Sequence, residues 1–339
     1  MQRHLFRRGR DDEPIVRTLS LPVREGVTAA PRGRVLILGL SYFGRLLAGQ
    51  LADRGWDATY AGHPGRSAAG WARLLPRIAR ADLLYLISSR IDRWAPQDIM
   101  MALRRKPVAI HWVGTDASRA TEAHRRGNLS TRIADGAVHW CDAPWLVDEL
   151  RRAGIRSEYV ALPIPLATGT PPPLPRQFRV LMYLPADARD RAVFDAETVL
   201  RLPEAFPDVQ FTLLPATSAD LGQPLPANVT TPGWVDDLDP VYRESTVLVR
   251  QTTHDGMAFT AVEALARGRY VIWSYPVAGG IRASGFEAVR GQLESLIARH
   301  RAGVLPLNLS GRALALANFA PGRLMSELDR RLQDLAARG

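Results

Sequence analysis

The sequence has almost no cysteine, almost no lysine and no long apolar run. Cys141 is the only cysteine among 339 residues, so no intrachain disulfide can form and a cytoplasmic location is the default expectation. No run of about 18 apolar residues occurs, which argues against a membrane-spanning helix, and the N-terminus lacks the apolar core of a secretory signal. Lys106 is the only lysine among 44 basic residues. No set of histidines and cysteines has metal-ligand spacing, so no metal site is predicted.

The excess positive charge is confined to the first half of the chain. Residues 1–160 hold 26 basic and 16 acidic residues, whereas residues 161–339 hold 18 of each, so the first half carries the whole net charge of +10. A basic half suits an anionic partner: a membrane surface bound peripherally, a phosphate-bearing acceptor or, less favoured, a nucleic acid. A solvated basic face without a ligand would give the same pattern.

Predicted strands and helices alternate on both sides of a proline-rich segment. Strands are predicted at 35–38, 56–60, 83–87, 108–112, 179–184, 209–214, 228–231, 247–249 and 270–273. Helices are predicted at 45–54, 69–79, 95–104, 118–126, 191–203, 236–243, 257–267 and 324–337. This alternation is typical of α/β folds with parallel sheets. Six of the 25 prolines lie within residues 163–175, which excludes regular structure and predicts a linker there.

The same pattern predicts how the chain is divided. We expect a flexible basic tail at 1–31, a first domain at 32–165, a linker at 166–177, a second domain at 178–320 and an amphipathic helix at 321–339.

Residues 246–274 carry the strongest functional signal. A short buried run at 247–249 is followed by turn-forming and capping residues at 252–256 and by helix formers at 257–267. Gly268 stands where a glycine commonly ends a helix. A loop that leads into a helix in this way presents backbone N–H groups to the space above it, which favours an anion such as a diphosphate.

Two acidic residues in this segment sharpen the interpretation. Asp255 lies at the helix entrance, and Glu263 lies eight residues later, where its carboxylate can accept hydrogen bonds from the vicinal hydroxyls of a ribose. The segment resembles the donor-binding element of GT-B glycosyltransferases, especially glycosyltransferase family 4. That family has two glutamates separated by seven residues, followed by Ala and a Gly-x-x-Val-Ile run; here Asp255 replaces the first glutamate. The alternative is an ordinary βαβ unit in which Glu263 faces solvent.

The resemblance implies an α/β fold of two facing Rossmann-like domains with a cleft between them. It also implies a hexosyltransferase of glycan biosynthesis that moves a sugar from a nucleotide-diphospho-sugar to an acceptor, with retention and without metal or bound cofactor. Asp255, Glu263 and His111 are the expected catalytic residues. The expected donor-binding residues are Thr253, His254, Gly256, Met257, Thr260, Arg189, Arg191, Arg250 and Trp234. For Trp234, which matches the place where related proteins hold the nucleotide base, a core position is the alternative.

A glycine-containing loop follows the first predicted strand. Gly39, Ser41 and Gly44 either face the donor phosphates, as the first loop of GT-B proteins does, or simply permit a tight turn. A nicotinamide-dependent Rossmann enzyme is less favoured, because Ser41 replaces the middle glycine of the dinucleotide fingerprint and no acidic residue ends the second strand.

The strand at 108–112 ends in a histidine. His111 resembles the histidine that many family 4 enzymes place near the acceptor, where it could polarise a hydroxyl group; a packed histidine bonded to backbone is the alternative. Asp116 either lies on the acceptor side or caps the following helix. His139 is interpreted as a packed residue.

A non-catalytic protein with the same fold is the main rival to an enzyme. Such a scaffold could associate with nucleic acid through its basic half. The aspartate at 255 and the absence of a lysine beside Arg189 and Arg191 favour the rival, whereas the intact loop at 253–263 opposes it.

Overall fold

The computed structural model describes residues 32–64, 67–94, 98 and 106–338. The predicted tail at 1–31 and nearly all of the predicted helix at 95–104 lie outside these residues. The strands are β1 (Arg34–Gly39), β2 (Asp57–Gly62), β3 (Leu83–Ile87), β4 (Val108–Trp112), β5 (Val138–Cys141), β6 (Glu158–Tyr159), β7 (Arg179–Leu184), β8 (Gln210–Pro215), β9 (Val229–Thr230), β10 (Val247–Arg250), β11 (Tyr270–Trp273) and β12 (Ile281–Arg282).

Helices alternate with these strands, which confirms the predicted α/β class. They are α1 (Ser41–Ala52), α2 (Ala68–Arg80), α3 (Thr115–Arg125), α4 (Thr131–Gly136), α5 (Pro144–Arg152), α6 (Ala196–Ala205), α7 (Ser218–Leu221), α8 (Asp239–Arg243), α9 (Phe259–Ala266), α10 (Phe286–Arg301), α11 (Leu309–Asn318) and α12 (Pro321–Ala336). The predicted helix at 191–203 is instead a 3₁₀ turn, Asp190–Val193, followed by α6. The division falls at Asp195, whose carboxylate accepts a hydrogen bond from Thr198 N at 3.1 Å and caps α6.

The first sheet has the strand order β2-β1-β3-β4-β5-β6. β3 and β4 are buried along their whole length, as predicted by the continuous apolar run of β3 and by a β4 that is apolar except at His111. Gly39 ends β1 with φ 120°, and a Cβ on it would lie 1.8 Å from the Ile87 carbonyl oxygen of β3. Only glycine allows this approach, because any side chain would collide with the neighbouring strand.

The second sheet has the order β12-β11-β10-β7-β8-β9. Its central strands place Val180, Met182 and Val249 in a core shared with Val289 and Leu293 of α10. In chain order this is the doubly wound arrangement, in which β7 and β10 are parallel neighbours and the winding direction reverses between them.

The proline-rich segment has no helix or strand, as predicted, but polar bonds tie it to its surroundings. The fully buried Arg269 donates to the carbonyls of Pro172 at 3.0 Å and Pro173 at 3.1 Å. Arg312 donates to the Thr168 carbonyl at 2.8 Å. Burial lowers the pKa of Arg269 to about 10. The segment is therefore a packed connection.

The chain divides into two compact units. The first comprises the described residues up to Ile110 together with 130–138 and the segment from Asp329, and the second comprises 111–129 and 139–328. Within the first unit, Asp329 accepts hydrogen bonds from Trp56 Nε1 at 2.7 Å and Arg32 Nη1 at 2.5 Å. The predicted domain boundaries stay a prediction. No helix in the described ranges is long and apolar enough to cross a bilayer.

Candidate functional site

The carboxyl ends of β7 and β10 define the candidate site. In open parallel sheets, ligands bind outside the strand ends at the point where the winding reverses. The loops after these two strands hold most of the predicted donor residues. They are bonded to each other, since Thr253 N donates to the Val193 carbonyl at 2.8 Å and Asp195 N donates to the Gln251 carbonyl at 3.2 Å.

The loop after β10 runs from Gln251 to Ala258, and α9 begins at Phe259, two residues later than predicted. A Cβ on Gly256 would lie 2.5 Å from the Val113 carbonyl oxygen. Glycine is therefore required at position 256 by a close approach of two backbone segments. At the other end of α9, Gly268 has φ 71°, as predicted for a glycine that ends a helix.

Asp255 in this loop forms a buried ion pair with Arg250 at the end of β10. The Asp255 carboxylate accepts from Arg250 Nε at 2.7 Å and Nη2 at 3.2 Å, and from Thr252 Oγ1 at 3.2 Å. The guanidinium lies 5.0 Å from the ring centroids of both Tyr183 and Phe194. Burial opposes charge on Arg250, but Asp255 outweighs it and raises the pKa of the guanidinium. In this conformation the two groups neutralise each other, and the donor role predicted for them stays a prediction.

Glu263 lies on α9 and is held by an aromatic neighbour. Its Oε2 accepts a hydrogen bond from the Tyr242 hydroxyl at 2.8 Å, and Arg267 stacks on the Tyr242 ring at 4.7 Å. Burial raises the pKa of Glu263 although Tyr242 and Arg267 oppose that rise. Glu263 is therefore partly buried and hydrogen-bonded, whereas the alternative given above has it facing solvent.

The two arginines after β7 are placed differently. Arg191 donates to the carbonyls of Pro185 at 2.9 Å and Ala186 at 2.6 Å in its own loop and to that of Asp220 in α7 at 2.9 Å, so it joins this loop to α7. Arg189 is exposed, and among the described residues no ion pair engages its guanidinium. Of this pair, Arg189 is the one free to meet a phosphate.

The remaining predicted donor residues vary in exposure. Trp234 is 57% exposed and donates from Nε1 to Asp236 at 2.8 Å, so the core alternative for Trp234 is wrong. Met257 is buried. Thr260 Oγ1 is buried and has no hydrogen-bond partner in the part of the chain that the structure describes.

Sequence reasoning missed three side chains of residues 139–152 that contact the loop. Trp145 and Glu149 lie one helical turn apart on α5: Trp145 Nε1 donates to the Asp255 carbonyl at 2.7 Å, and Glu149 Oε2 lies 2.9 Å from His254 Nε2. Asp142, just before α5, accepts from the Met257 N–H. Pro144 at the first position of α5 is a helix-start signal that could have revealed this helix.

Two buried carboxyl groups, Asp142 and Asp116, lie near the contact between α5 and the loop 251–258. Asp142 is 1% exposed, its Oδ1 has no partner in the described residues, and burial raises its pKa well above the usual range. Asp116 accepts from the backbone N–H groups of Val113 and Ala117, and burial raises its pKa to about 6. Asp116 therefore fastens the first turn of α3. At 2% exposure, the carboxyl group of Asp116 offers almost no surface to an acceptor in this conformation.

His111, predicted near the acceptor, and His139, interpreted as a packed residue, both lie inside the second unit. His111 has no exposed surface, and its Nε2 lies 2.8 Å from the Val160 carbonyl. This is the packed arrangement given above as the alternative, and burial disfavours the catalytic role, which stays a prediction. His139 stacks on Trp112 and accepts from its Nε1 at 3.2 Å, as expected of a packed residue.

The loop after β1 is shaped by packing. A Cβ on Gly44 would lie 2.3 Å from the Tyr60 ring, and the Tyr60 hydroxyl donates to the Gly39 carbonyl at 3.0 Å. Ser41 begins α1. The close approach to β3 accounts for Gly39 and the packing of α1 against Tyr60 accounts for Gly44, and contact with donor phosphates stays a prediction.

A basic groove of about 610 Å³ lies elsewhere in the first unit, beside Arg45, Tyr60, Leu74 and Arg77. Neither arginine has an acidic partner within the described ranges. No cluster of three or more His, Cys, Asp or Glu side chains able to hold a metal is found among the described residues.

Comparison with solved structures shows the fold. Sucrose-phosphate synthase from Thermosynechococcus elongatus is 15% identical with a TM-score of 0.64, covering 90% of this chain and all of that one. A glycosyltransferase from Rickettsia africae is 9% identical with a TM-score of 0.61, covering 91% and 99%. S. aureus TarM, in a complex that includes UDP, is 10% identical with a TM-score of 0.54; 75% of this chain matches 55% of TarM, so the match spans about half the length of TarM.

The chain therefore has the GT-B fold of two Rossmann-like domains, as the segment 246–274 implied. Comparison with protein-family models gives no match, and comparison with curated proteins gives none either. Membership of family 4 stays a prediction.

Proposed function

We propose that the chain is a glycosyltransferase that uses a nucleotide-diphospho-sugar. The observation that carries this proposal is the position of the loop 251–258, which follows β10 at the point where the second sheet reverses its winding. Glycosyltransferases and a sucrose-phosphate synthase share the fold, which supports the same chemistry at the same strand ends.

Donor binding in this proposal depends on backbone amides and a few cations. Arg189 is exposed in the loop after β7. Burial lowers the pKa of His254, but the hydrogen bond and charge of Glu149 outweigh burial and raise it. Both cations can face a diphosphate, while Glu263 would accept from ribose hydroxyls. Catalysis would come from positioning the donor and stabilising the departing diphosphate. We propose no covalent intermediate.

The finer features rest on the family resemblance. Retention of the anomeric configuration, independence from metal and transfer of a hexose are proposed on that basis. They can be checked by the configuration of the product and by activity in the presence of a chelator.

For the acceptor we propose an anionic molecule or an anionic membrane surface bound by the first unit. The excess basic charge of residues 1–160, most of which belong to the first unit, supports it. The groove beside Arg45 and Arg77 offers two guanidinium groups and an aromatic wall from Tyr60. In addition, Trp94 is 83% exposed, and an exposed tryptophan suits the interfacial region of a bilayer.

A non-catalytic donor-binding or scaffold protein is the second candidate. The pairing of Asp255 with Arg250, and of Arg191 with backbone carbonyls, favours it, because these charges are already satisfied within the protein. Nucleic acid is the alternative partner for the basic half.

A turnover assay separates the two functions. The protein is incubated with UDP-, GDP- and ADP-sugars and with anionic lipid acceptors, and released nucleoside diphosphate is measured. The enzyme predicts release that depends on one nucleotide and rises with acceptor. Binding of a nucleoside diphosphate without any release would favour the non-catalytic candidate.

A further inference from the structure

Asp142 is a buried carboxyl group in contact with the loop 251–258. It lies between β5 and α5, and its backbone N–H donates to the Trp112 carbonyl at 3.0 Å. Its carboxyl group accepts a hydrogen bond from the Met257 N–H. A Cβ on Gly256 would lie 2.8 Å from Asp142 Oδ1, so the loop backbone packs directly on this oxygen. The carboxyl group is therefore enclosed by the loop and by the strand end that carries it.

The two cations of this region are already paired with other acids. Arg250 lies 2.7 Å from Asp255, and His254 Nε2 lies 2.9 Å from Glu149 Oε2. Over the residues that the structure describes, no ion pair involves Asp142. An ionised Asp142 would be a buried charge without a cation, which is costly, so the fold favours its neutral form.

Other charged and titratable groups act on Asp142, on His254 or on their partners from each surrounding element. They are Asp116 and Arg119 on α3, Cys141 on β5, Glu149 on α5, Tyr159 on β6, Arg250 on β10 and Asp255 on the loop. Four carboxyl groups, those of 116, 142, 149 and 255, share two cations, those of 250 and 254, in this list. The surplus of acids again favours a protonated carboxyl group.

Both Asp142 and His254 hold a proton more tightly within this contact than in water. Burial, followed by the charges of Asp116 and Asp255, raises the pKa of Asp142 well above its usual range. Burial lowers the pKa of His254, but Glu149 outweighs it and the pKa is raised. Forming the contact therefore takes up protons. Its stability falls as pH rises, above about pH 3.9 because of Asp142 and above about pH 6.5 because of His254.

The same contact covers part of the loop. Trp145 of α5 donates from Nε1 to the Asp255 carbonyl at 2.7 Å, one helical turn from Glu149. Gly256 and Met257 are buried in this conformation. Residues 142–149 therefore hold the loop in a state in which these two residues have almost no surface for a ligand.

We propose that the contact between residues 142–149 and the loop 251–258 is a proton-controlled latch. It is closed while Asp142 is neutral and His254 is charged, and it opens as these two groups give up their protons. Opening exposes the buried part of the loop. The latch is a property of the fold alone; only its consequence, easier access for a nucleotide donor at higher pH, rests on the proposed function.

Hydrogen exchange of the unliganded protein tests the latch. Exchange of the amides in 251–258 is measured by mass spectrometry from pH 5.5 to 8.5 and corrected for the intrinsic pH dependence of exchange, which gives the opening equilibrium of the loop. Each proton released on opening raises that equilibrium by up to about tenfold per pH unit, so we expect a rise of about tenfold or more in the wild type. The amides of α10 serve as the internal reference and should change far less.

Asp142→Asn isolates the carboxyl group, because the amide oxygen still accepts from the Met257 N–H but the side chain carries no charge. The rise in loop opening from pH 5.5 to 8.5 should be about tenfold smaller in this variant. Its melting temperature should exceed that of the wild type at pH 8.5 and approach it at pH 5.5, with Asp116 and Asp255 present in both proteins. Asp148→Asn, at an exposed acid of α5, is the matched control and should behave as the wild type does.

An equal pH dependence of loop opening in wild type and Asp142→Asn, or none in the wild type, overturns the proposal. If Asp142→Asn fails to fold, Glu149→Gln removes the partner of His254, and its rise in opening between pH 6.5 and 8.5 should be smaller than that of the wild type; an unchanged rise overturns the proposal. Calorimetry with UDP at pH 5.5 and 8.5 separates the two proposals. Loop opening that rises with pH, without UDP binding at either pH, counts against the proposed function and leaves the latch standing.

Discussion

Removing the carboxylate of Asp255 should cost far more stability than removing a surface acid. The side chains of Arg250 and Asp255 are only 11% and 14% exposed, and two hydrogen bonds join them. Taking away one partner of a buried pair leaves an uncompensated charge, which costs about 3–5 kcal/mol. We therefore expect Asp255→Ala to lower the free energy of unfolding by that amount.

A double-mutant cycle isolates the interaction from the lost volume. Arg250→Met keeps an unbranched chain between the rings of Tyr183 and Phe194, and replacing both partners of a buried pair with apolar groups is often neutral. The double variant Arg250→Met/Asp255→Ala should therefore be more stable than Asp255→Ala. We expect a coupling energy of about 2–3 kcal/mol from urea titrations followed by tryptophan fluorescence.

The exposed pair Arg151–Asp148 is the matched control. Its side chains are 75% and 61% exposed, and pairs of that kind contribute about 0.2–1 kcal/mol. A coupling energy for Arg250–Asp255 no larger than that of the control would refute the reasoning. In that case Asp255 would be available to a ligand, as the family resemblance implies.

Three further predictions concern buried and basic groups. His111→Ala should lower the free energy of unfolding by about 1–3 kcal/mol, since the Val160 carbonyl loses its buried partner; an unchanged melting temperature with lost turnover would contradict the packed interpretation. Because the pKa of His254 is raised in the folded state, its bond to Glu149 should stabilise fully below about pH 6.5, and that stabilisation should disappear as pH rises through the raised value. The difference in melting temperature between wild type and Glu149→Gln should therefore shrink from pH 5.5 to 8.5, with Asp116 and Asp255 present in both proteins; a constant difference would contradict this. The protein should co-sediment with anionic vesicles at low salt and remain in the supernatant at high salt. Deletion of residues 1–31 should weaken this binding. Equal binding to neutral vesicles would contradict the electrostatic account.

Several strand bounds and the helix end at Gly268 could be predicted from sequence. Alternation of apolar runs with Gly-containing loops gave the bounds of β3, β4, β7 and β11, and Gly268 ends its helix as predicted. Burial along a strand depends on local composition, and a helix end depends on backbone conformation at one residue. Both properties can therefore be predicted from a short stretch of sequence.

The partners of the site residues could not be predicted in the same way. Asp255 is paired with Arg250 at the end of β10, and Trp145 contacts the loop from a helix more than 100 residues earlier in the chain. His111 stands at a strand end, which suggested a ligand, but its ring turns into the core. Which way a side chain turns depends on tertiary packing, and periodicity does not contain that information.

The measurement that tests the central claim most directly is calorimetric titration of UDP, GDP and ADP into wild type and Glu263→Gln. The account predicts that one of the three binds the wild type and that Glu263→Gln binds it about 10- to 150-fold more weakly, as expected for loss of a charged acceptor to ribose hydroxyls. The amide oxygen that this substitution introduces can still accept from the Tyr242 hydroxyl, so the melting temperature should hold. Glu244→Gln, at an exposed acid paired with Arg179, is the matched control and should bind like the wild type. Equal affinity in wild type and Glu263→Gln, or no binding of any nucleoside diphosphate, would contradict the account.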